Sequence, residues 1–477
     1  MEGMFINNRR VLTGDYFEVF NPFSNEVIGK VASAGDDEIE KALFLSSKTK
    51  NDLSGFERSR IIEKCARLIL KNRNDLAVLI SKESGLCLKD SYHEIDRGIN
   101  CLKFCSEQAK NIDNLDPSEE LNIPVPVKNP QLHIVFEPIN LILGITPFNH
   151  PLNMLIHKIG PAIAVGAPII IKPSEQTPFT ALKLGELFIE SGLSANMLNI
   201  ITGSPPQNLV EKLVTDSRVD LVSFTGSVKI GKSIAKMMAL NGNELKKYMP
   251  ELGGNATFVV LDDADLDKAA KIALGAFENS GQRCTAIRKI LLHQDISDLF
   301  IDKFVDLSSQ IKYGDPLDPE NDMGTVITTE QAKLLKSRIE NAIRDGAEVL
   351  YGNEINGALM SPTILDMVDS GMEIAVKESF GPVVSIMRVK DLNEIKNYFK
   401  RDNFGLAASV ATQSKEKAYD IFNSSLVGQF SWNGTPGYRT EEAPFGGFKD
   451  SGNGEKEGVI MMTRAMRRIK TFYNHNN

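Results

Sequence analysis

Between residues 132 and 262 the chain alternates short, almost wholly apolar runs with helix-patterned stretches. That rhythm limits the folds open to it more than any other feature. LHIVFEP, NLILGITP, PIIIKP, MLNII, VDLVSF and TFVVLD read as strands. The stretches 152–165, 179–190, 206–214 and 227–240 read as the helices between them. A strand that is apolar on both faces is buried on both faces, the condition of a parallel sheet covered by helices. A second alternating block runs from TFVVLD to about residue 440, so two α/β units are expected. Upstream, Ile61, Ile62, Cys65, Leu68, Ile69, Leu76 and Leu79 recur at helical spacing over 57–84, with Gly85 placed to end the helix. A second helix is predicted over 90–110. Pro117, Pro124, Pro126 and Pro130 then forbid helix and predict an extended excursion.

The chain's 477 residues are enough for about three domains or subdomains. A net charge of −8 with mixed signs lacks the basic face that nucleic-acid binding needs. Five cysteines form an odd, sparse set, expected as free thiols in a reducing compartment. The start, MEGMFINNRR, has no signal-type apolar core, and the most apolar run, Gly160 to Ile171, is roughly half a bilayer span. These features predict a cytoplasmic protein without a membrane segment.

Gly226 to Ser233 spells GxxxxGK[ST] after a strand and before a helix, the context of a P-loop. FVVLDD, 258–263, offers a magnesium-binding strand end, so a P-loop NTPase is one reading. Against it, Val228 and Ile230 are β-branched and stiff, unlike a loop that wraps phosphates with its backbone. The other reading makes them the first helical turn, with Gly226 turning the chain and the helix N-terminus meeting a pyrophosphate. An ordinary strand–helix turn would look the same.

Cys284, in GQRCTA, lies between a helix read over 265–280 and a strand over 287–292, among small, polar and cationic residues. Arg283 beside it could favour the thiolate. The other four cysteines lie in apolar helical patterns. Cys101 and Cys105, four apart, could ligate a metal but have no second Cys/His pair, so no metal site is expected. Glu251, before paired glycines in PELGGN, is either a general base or a solvated surface carboxylate. Asn149, in TPFNHP, either donates to an oxyanion or caps a helix.

No spacing brings these three together, but the order of seven blocks does. TPFNHP, KPSEQTP, SFTGS, ELGGN, GQRC, KESFGP and PFGGFKDSG occur as they do in the NAD(P)-dependent aldehyde dehydrogenase superfamily, which the chain resembles over nearly its whole length. The resemblance implies an α/β fold with a Rossmann-type cofactor domain (1–118 and 138–250), a catalytic domain (251–440) and an oligomerisation arm (119–137 and 441–477). It implies a homodimer or homotetramer, Cys284 as nucleophile, Asn149 with the Cys284 N–H as oxyanion hole, and Glu251 as the base for thioester hydrolysis. Lys172 and Glu175 match contacts to the adenosine ribose, Gly226 and Ser227 the pyrophosphate site, and Glu378 and Phe380 the nicotinamide clamp. Thr146 and Pro147 match further cofactor contacts. Two departures stand out: Met249-Pro250 before ELGG, where the strand is expected to end early, and Gly452-Asn453-Gly454, where a larger apolar residue is usual between the glycines.

NAD is the expected cofactor, with NADP second, because the Glu175 carboxylate would repel a 2′-phosphate. The expected substrate is a short anionic aldehyde. Arg283, Arg439, His157 and Arg97 are the candidate anion contacts, since guanidinium forks match phosphonate oxygens bidentately. Each has a blander role: Arg439 could pair with Glu441 or Glu442 at the surface, and His157 could be a satisfied core histidine. TPFNHPLN…HK, GQRCTA and the Tyr-Arg pair before PFGG are most similar to phosphonoacetaldehyde dehydrogenases, which makes phosphonoacetaldehyde the first expectation. Sulfolactaldehyde, succinate semialdehyde and neutral lactaldehyde are the alternatives. A CoA-acylating relative is a further one, disfavoured because such relatives commonly lack the glutamate at Glu251.

Overall fold

The computed structural model describes residues 1–113, 120–121, 131–242 and 244–475. Two seven-stranded sheets organise it. The first runs, edge to edge, Lys247–Glu251, Leu221–Thr225, Ile142–Ile145, Ile169–Lys172, Leu198–Ile200, Met4–Ile6 and Arg9–Val11. Its first five strands are parallel, and Met4–Ile6 joins antiparallel. The chain builds outward from Ile142–Ile145 on one side, then returns to build on the other. This reversal opens a crevice between the C-terminal ends of Ile142–Ile145 and Leu221–Thr225, the place where α/β sheets bind ligands. TPFN and Gly226-Ser227 follow those two strands directly.

The second sheet runs Glu348–Tyr351, Thr363–Asp366, Val383–Val389, Ile287–His293, Ala256–Val260, Ala407–Ala411 and Gln429–Trp432. It is parallel apart from Glu348–Tyr351 at its edge. Helices cover both sheets, and their central strands are fully buried, as apolar runs of this kind require. A separate two-stranded ribbon pairs Gln131–Pro138 with Arg467–Asn474.

Several sequence expectations are corrected. The helical pattern over 57–84 is two helices, Gly55–Lys71 and Arg73–Ser84, separated at Asn72. Gly85 does end the second, in the left-handed region at φ 76°. The helix read over 265–280 stops at Ala273 and gives way to two 3₁₀ turns. Pro250 does not end its strand early. Lys247–Glu251 is an edge strand, where proline's missing N–H leaves no ladder bond unmade, and Glu251 stays in register with Thr225. Pro117, Pro124, Pro126 and Pro130 lie outside the described residues. Of the tail from 441, only 467–474 joins the ribbon; the preceding stretch returns to the crevice. No helix among the described residues is long and apolar enough to cross a membrane.

The helix that follows TPFN is held from outside its own sequence. The N–H groups of Leu152 and Asn153, orphaned at the start of helix Asn153–Val165, donate to Glu94 Oε1 at 2.7 and 2.8 Å. Glu94 is buried on helix Leu88–Ile112. Replacing it leaves two buried donors unmet, at about 1–3 kcal/mol. Glu94→Ala is expected to lower the thermal midpoint by a few degrees and Glu94→Gln by less, since its amide oxygen still accepts. An unchanged midpoint in Glu94→Ala would contradict this assignment.

Candidate active site

One cavity of about 400 Å³ lies between the C-terminal edge of the first sheet and the N-terminal edge of the second. Cys284, Asn149 and Glu251 all line it, so residues read from three distant segments meet. Cys284 is placed by a strained turn. Asn279, Ser280 and Gly281 follow one another at φ 53°, 53° and 66°, the left-handed region. At Gly281 a Cβ would lie 2.2 Å from the Gly381 carbonyl oxygen, so only glycine fits. The turn ends in Gln282, fully buried and anchored at both ends of its amide to Thr325 and Ile327.

Asn149 caps no helix; the helix after it is capped at Leu152. Its Nδ2 donates to the Gln282 carbonyl at 2.7 Å, which ties the amide to the Cys284 turn. One amide hydrogen is thereby used, and the second is free for an oxyanion. Glu251 is no surface residue: it is 4% exposed, and its Oε2 is buried without a hydrogen-bond partner. Burial and then the nearby Glu457 push its carboxyl well above the usual range. Glu457 is itself paired at 2.9 Å with Lys158, a lysine buried in helix Asn153–Val165 and bonded to Ser223 Oγ at 2.8 Å. Neither Glu457 nor Lys158 was singled out from the sequence; a lysine inside so apolar a helix was the available signal.

The Cys284 thiol is not a resting thiolate. Burial pushes it up to about 11; Arg439 pulls it down more than Arg283 does, and Glu378 and Glu251 push it up. The expectation that Arg283 favours thiolate is therefore right in sign and outweighed. Arg283 pairs instead with Glu278.

The arginine expectations divide. Arg97, Arg283 and Arg439 all line the cavity. Arg439 forms no ion pair with Glu441 or Glu442; its guanidinium stacks over Phe445 at 4.1 Å, and no carboxylate of the described residues lies within ion-pair distance. His157 is corrected: it is fully buried, bonded to Glu441 at 2.7 Å, and does not line the cavity. The helix read over 152–165 begins at Asn153, and position 157 on it meets Glu441 rather than the cavity. The cavity's histidine is His150, in the same TPFNHP block. Burial, then Arg283, Arg97 and Arg439, push its imidazole well below the usual range.

The residues matched to the cofactor lead outward along the first sheet. Gly226, Ser227, Pro147, Glu378 and Phe380 line the same cavity as Cys284, and Thr146 donates its N–H to the Lys172 carbonyl at 3.2 Å. Lys172 bonds Glu175 at 2.9 Å. Ser227 caps helix Val228–Asn241, whose first N–H groups face the crevice end of the strand. A Cβ on Gly226 would sit 2.6 Å from the Phe224 ring. Glu378 accepts from the Gly254 N–H at 2.9 Å. Its carboxyl is raised to about 7 by burial. Phe380, at φ 50°, meets Phe148 edge-on at 5.8 Å. A helix N-terminus, the Lys172–Glu175 pair and an aromatic–carboxylate pair beside Cys284 fit a dinucleotide. The P-loop reading is overturned: Val228 opens the helix, Gly231 packs on Leu252, and Lys232 turns outward to Asp450 at 2.6 Å. Cys101 and Cys105 are buried, and among the described residues no cluster of three or more metal-ligating side chains occurs.

The model of the Aldehyde dehydrogenase family matches residues 11–472. The 3-sulfolactaldehyde dehydrogenase of Priestia aryabhattai is 32% identical, covering 96% of this chain and 94% of that one. Lactaldehyde dehydrogenase of Methanococcus aeolicus is 33% identical, covering 98% and 99%. Sulfoacetaldehyde dehydrogenase of Neptuniibacter caesariensis is 33% identical, covering 95% and 98%. Among solved structures, an NAD-dependent aldehyde dehydrogenase from Sinorhizobium meliloti superposes with a TM-score of 0.92 at 30% identity, over 99% and 94% of the two chains. Glyceraldehyde-3-phosphate dehydrogenase from Methanocaldococcus jannaschii, complexed with NADP, gives 0.90 at 30%, over 98% and 100%.

Because burial outweighs the two arginines at Cys284, alkylation of the ligand-free enzyme by iodoacetamide is expected to climb about tenfold per pH unit between pH 7 and 9.5. Arg439→Ala should slow it at every pH in that range, since it removes the larger downward pull. A rate that levels off near pH 7.5 would contradict the buried-thiol assignment.

Proposed function

This chain belongs to the aldehyde dehydrogenase family, an NAD(P)-dependent enzyme family, and on that premise we propose that it oxidises a short aldehyde carrying a tetrahedral anionic head, phosphonate or sulfonate, to the acid. The observation that carries this is that Arg97, Arg283 and Arg439 all line the cavity of Cys284, with Arg439 free of any carboxylate partner among the described residues. Arg97 and Arg283 already pair with Glu441 and Glu278, but Arg439 has no carboxylate partner among the described residues and Arg97 Nη2 is buried without an acceptor, a cost unless an anion comes to meet them. Phosphonoacetaldehyde remains the first expectation. The sulfonated substrates named for two of the relatives present the same three-oxygen head, and the phosphorylated aldehyde named for a solved neighbour is likewise an anion.

In this reading the Cys284 thiol loses its proton to solvent water and the sulfur adds to the aldehyde carbon as the thiolate. Asn149 Nδ2 and the Cys284 N–H donate to the resulting oxyanion. The bound nicotinamide would supply the acceptor for the hydride, and a thioester on Cys284 remains. Glu251 then takes a proton from water as it attacks the thioester, and the acid leaves. Burial and then Glu457 raise the Glu251 carboxyl above the usual carboxylate range, which makes its carboxylate the stronger proton acceptor. Lys158 and Glu457 hold compensating charge behind it. Lys172, Glu175, Ser227, Glu378 and Phe380 would hold the dinucleotide, with the Glu175 carboxylate favouring NAD. Residues 1–118 and 138–250 form the cofactor half and 251–440 the catalytic half. The ribbon of 131–138 and 467–474, with Val135, Ile469, Phe472 and Tyr473 exposed, serves assembly into a dimer or tetramer.

The test is a panel of phosphonoacetaldehyde, sulfoacetaldehyde, sulfolactaldehyde, succinate semialdehyde, lactaldehyde and propanal with NAD or NADP, repeated with Arg439→Ala. Any loss from a higher Cys284 pKa falls on all aldehydes alike, so the anionic-to-neutral ratio of kcat/KM reads the anion contact alone. That ratio is expected to fall at least about thirtyfold, the equivalent of some 2 kcal/mol for an arginine–anion pair. A parent enzyme that prefers propanal, or a ratio unmoved in Arg439→Ala, would contradict the proposal.

A further inference from the structure

We infer that Glu441, backed by His157, is a positioning residue that sets selectivity for anionic aldehydes by fixing Arg97 in the cavity wall. This rests on the substrate reading above and identifies what holds one of its three cations in place. Arg97 reaches the cavity from helix Leu88–Ile112, so its long side chain must be pinned to present one face. Glu441 Oε1 accepts from Arg97 Nε at 2.7 Å. That contact occupies the inner edge of the guanidinium. Arg97 Nη2 is left buried without any hydrogen-bond partner, a donor held ready in a cavity-lining residue. A buried, unmet guanidinium nitrogen is expensive and calls for a visiting acceptor.

Glu441 is pinned in turn. Its second oxygen bonds His157 Nε2 at 2.7 Å, and the other ring nitrogen of His157 faces Cys101 Sγ at 3.7 Å. All three back groups are buried. Burial opposes charge on Glu441, yet the His157 and Arg97 contacts outweigh it and hold the carboxyl down at about 2. Burial likewise opposes charge on His157, but the Cys101 sulfur and the Glu441 contact raise it to about 9. Glu441 is thus an anion fixed between two cations, with no freedom to swing toward the substrate. Arg439 and Arg283 lack such a brace; one stacks on Phe445 and the other pairs with the half-exposed Glu278.

Two roles for Glu441 predict opposite signs. If it merely offsets the cavity's positive charge, removing it tightens anion binding. If it positions Arg97, removing it lets the side chain swing and weakens anion binding. The experiment compares Glu441→Ala, Glu441→Gln, His157→Leu and His157→Gln with the parent. It measures KM and kcat for phosphonoacetaldehyde and propanal, and the Kd of unreactive ethylphosphonate and ethanesulfonate by calorimetry. Glu441→Ala is expected to raise KM for the anionic aldehyde and both Kd values about tenfold relative to any change with propanal, the size of an orientation loss. Glu441→Gln, which keeps an acceptor for Arg97 Nε, should recover most of the loss, and His157→Leu should show a smaller loss that His157→Gln recovers. Tighter anion binding in Glu441→Ala, or equal loss in Ala and Gln, would overturn the inference while leaving the substrate reading intact. A parent that does not discriminate between the two aldehydes would overturn both.

Discussion

The site depends on one short crossing, the four residues from Leu252 to Asn255 that carry the chain from the edge of the first sheet to the middle of the second. Glu251 ends an edge strand in register with Thr225, and Ala256 begins a central strand beside Ile287. The two sheets can approach only because Gly253 and Gly254 have no side chains. A Cβ on Gly253 would meet Glu378 Oε2 at 2.0 Å, and one on Gly254 would meet the Cys284 carbonyl oxygen at 2.1 Å. Glu251, Glu378 and Cys284 are therefore gathered on the same stretch of bare backbone. A side chain at Gly254 would meet the Cys284 backbone and force the two halves apart, whereas one at Gly253 would displace the Glu378 carboxylate.

Around this crossing the chain concentrates charge that folding alone would not favour. Lys158 with Glu457, Arg97 with Glu441 and His157, and the unpaired Arg439 all sit near one small cavity. Buried ion pairs contribute little net stability and are costly when one partner is lost. Buried charge also occurs away from the cavity, as in Lys289 with Asp402, but its concentration beside the cavity fits a site where pKa values and substrate charge are set. The left-handed turn at Asn279 to Gly281 adds backbone strain at the same place.

Much of this was legible in the amino-acid sequence. The apolar strands declared a doubly covered parallel sheet, and ordered blocks carried Cys284, Asn149 and Glu251 to what proves to be one cavity. The failures have local causes. Asn72 splits a continuous helical pattern because nothing in the spacing of Leu68, Ile69 and Leu76 records a bend between them. Pro250 reads as a strand terminator unless its strand is known to be an edge, which is a fact of sheet order. The spacing from Asn149 points to His157 rather than His150 because it does not record which side of the helix faces the cavity; the helix start, at Asn153, is held by Glu94, far away in sequence. Glu441 and Glu457 sit in a tail whose composition says nothing of its return to the cavity.

The central claim is that Cys284 carries the acyl group and Glu251 releases it by activating water. Rapid-quench turnover of Glu251→Gln with NAD and a good aldehyde tests it most directly, with peptide mass mapping of the quenched enzyme. The account predicts one equivalent of NADH per site in a fast first phase, then a stall, with the acyl group found on the peptide containing Cys284. Steady turnover within a few-fold of the parent, or a stall with no adduct on Cys284, would contradict it.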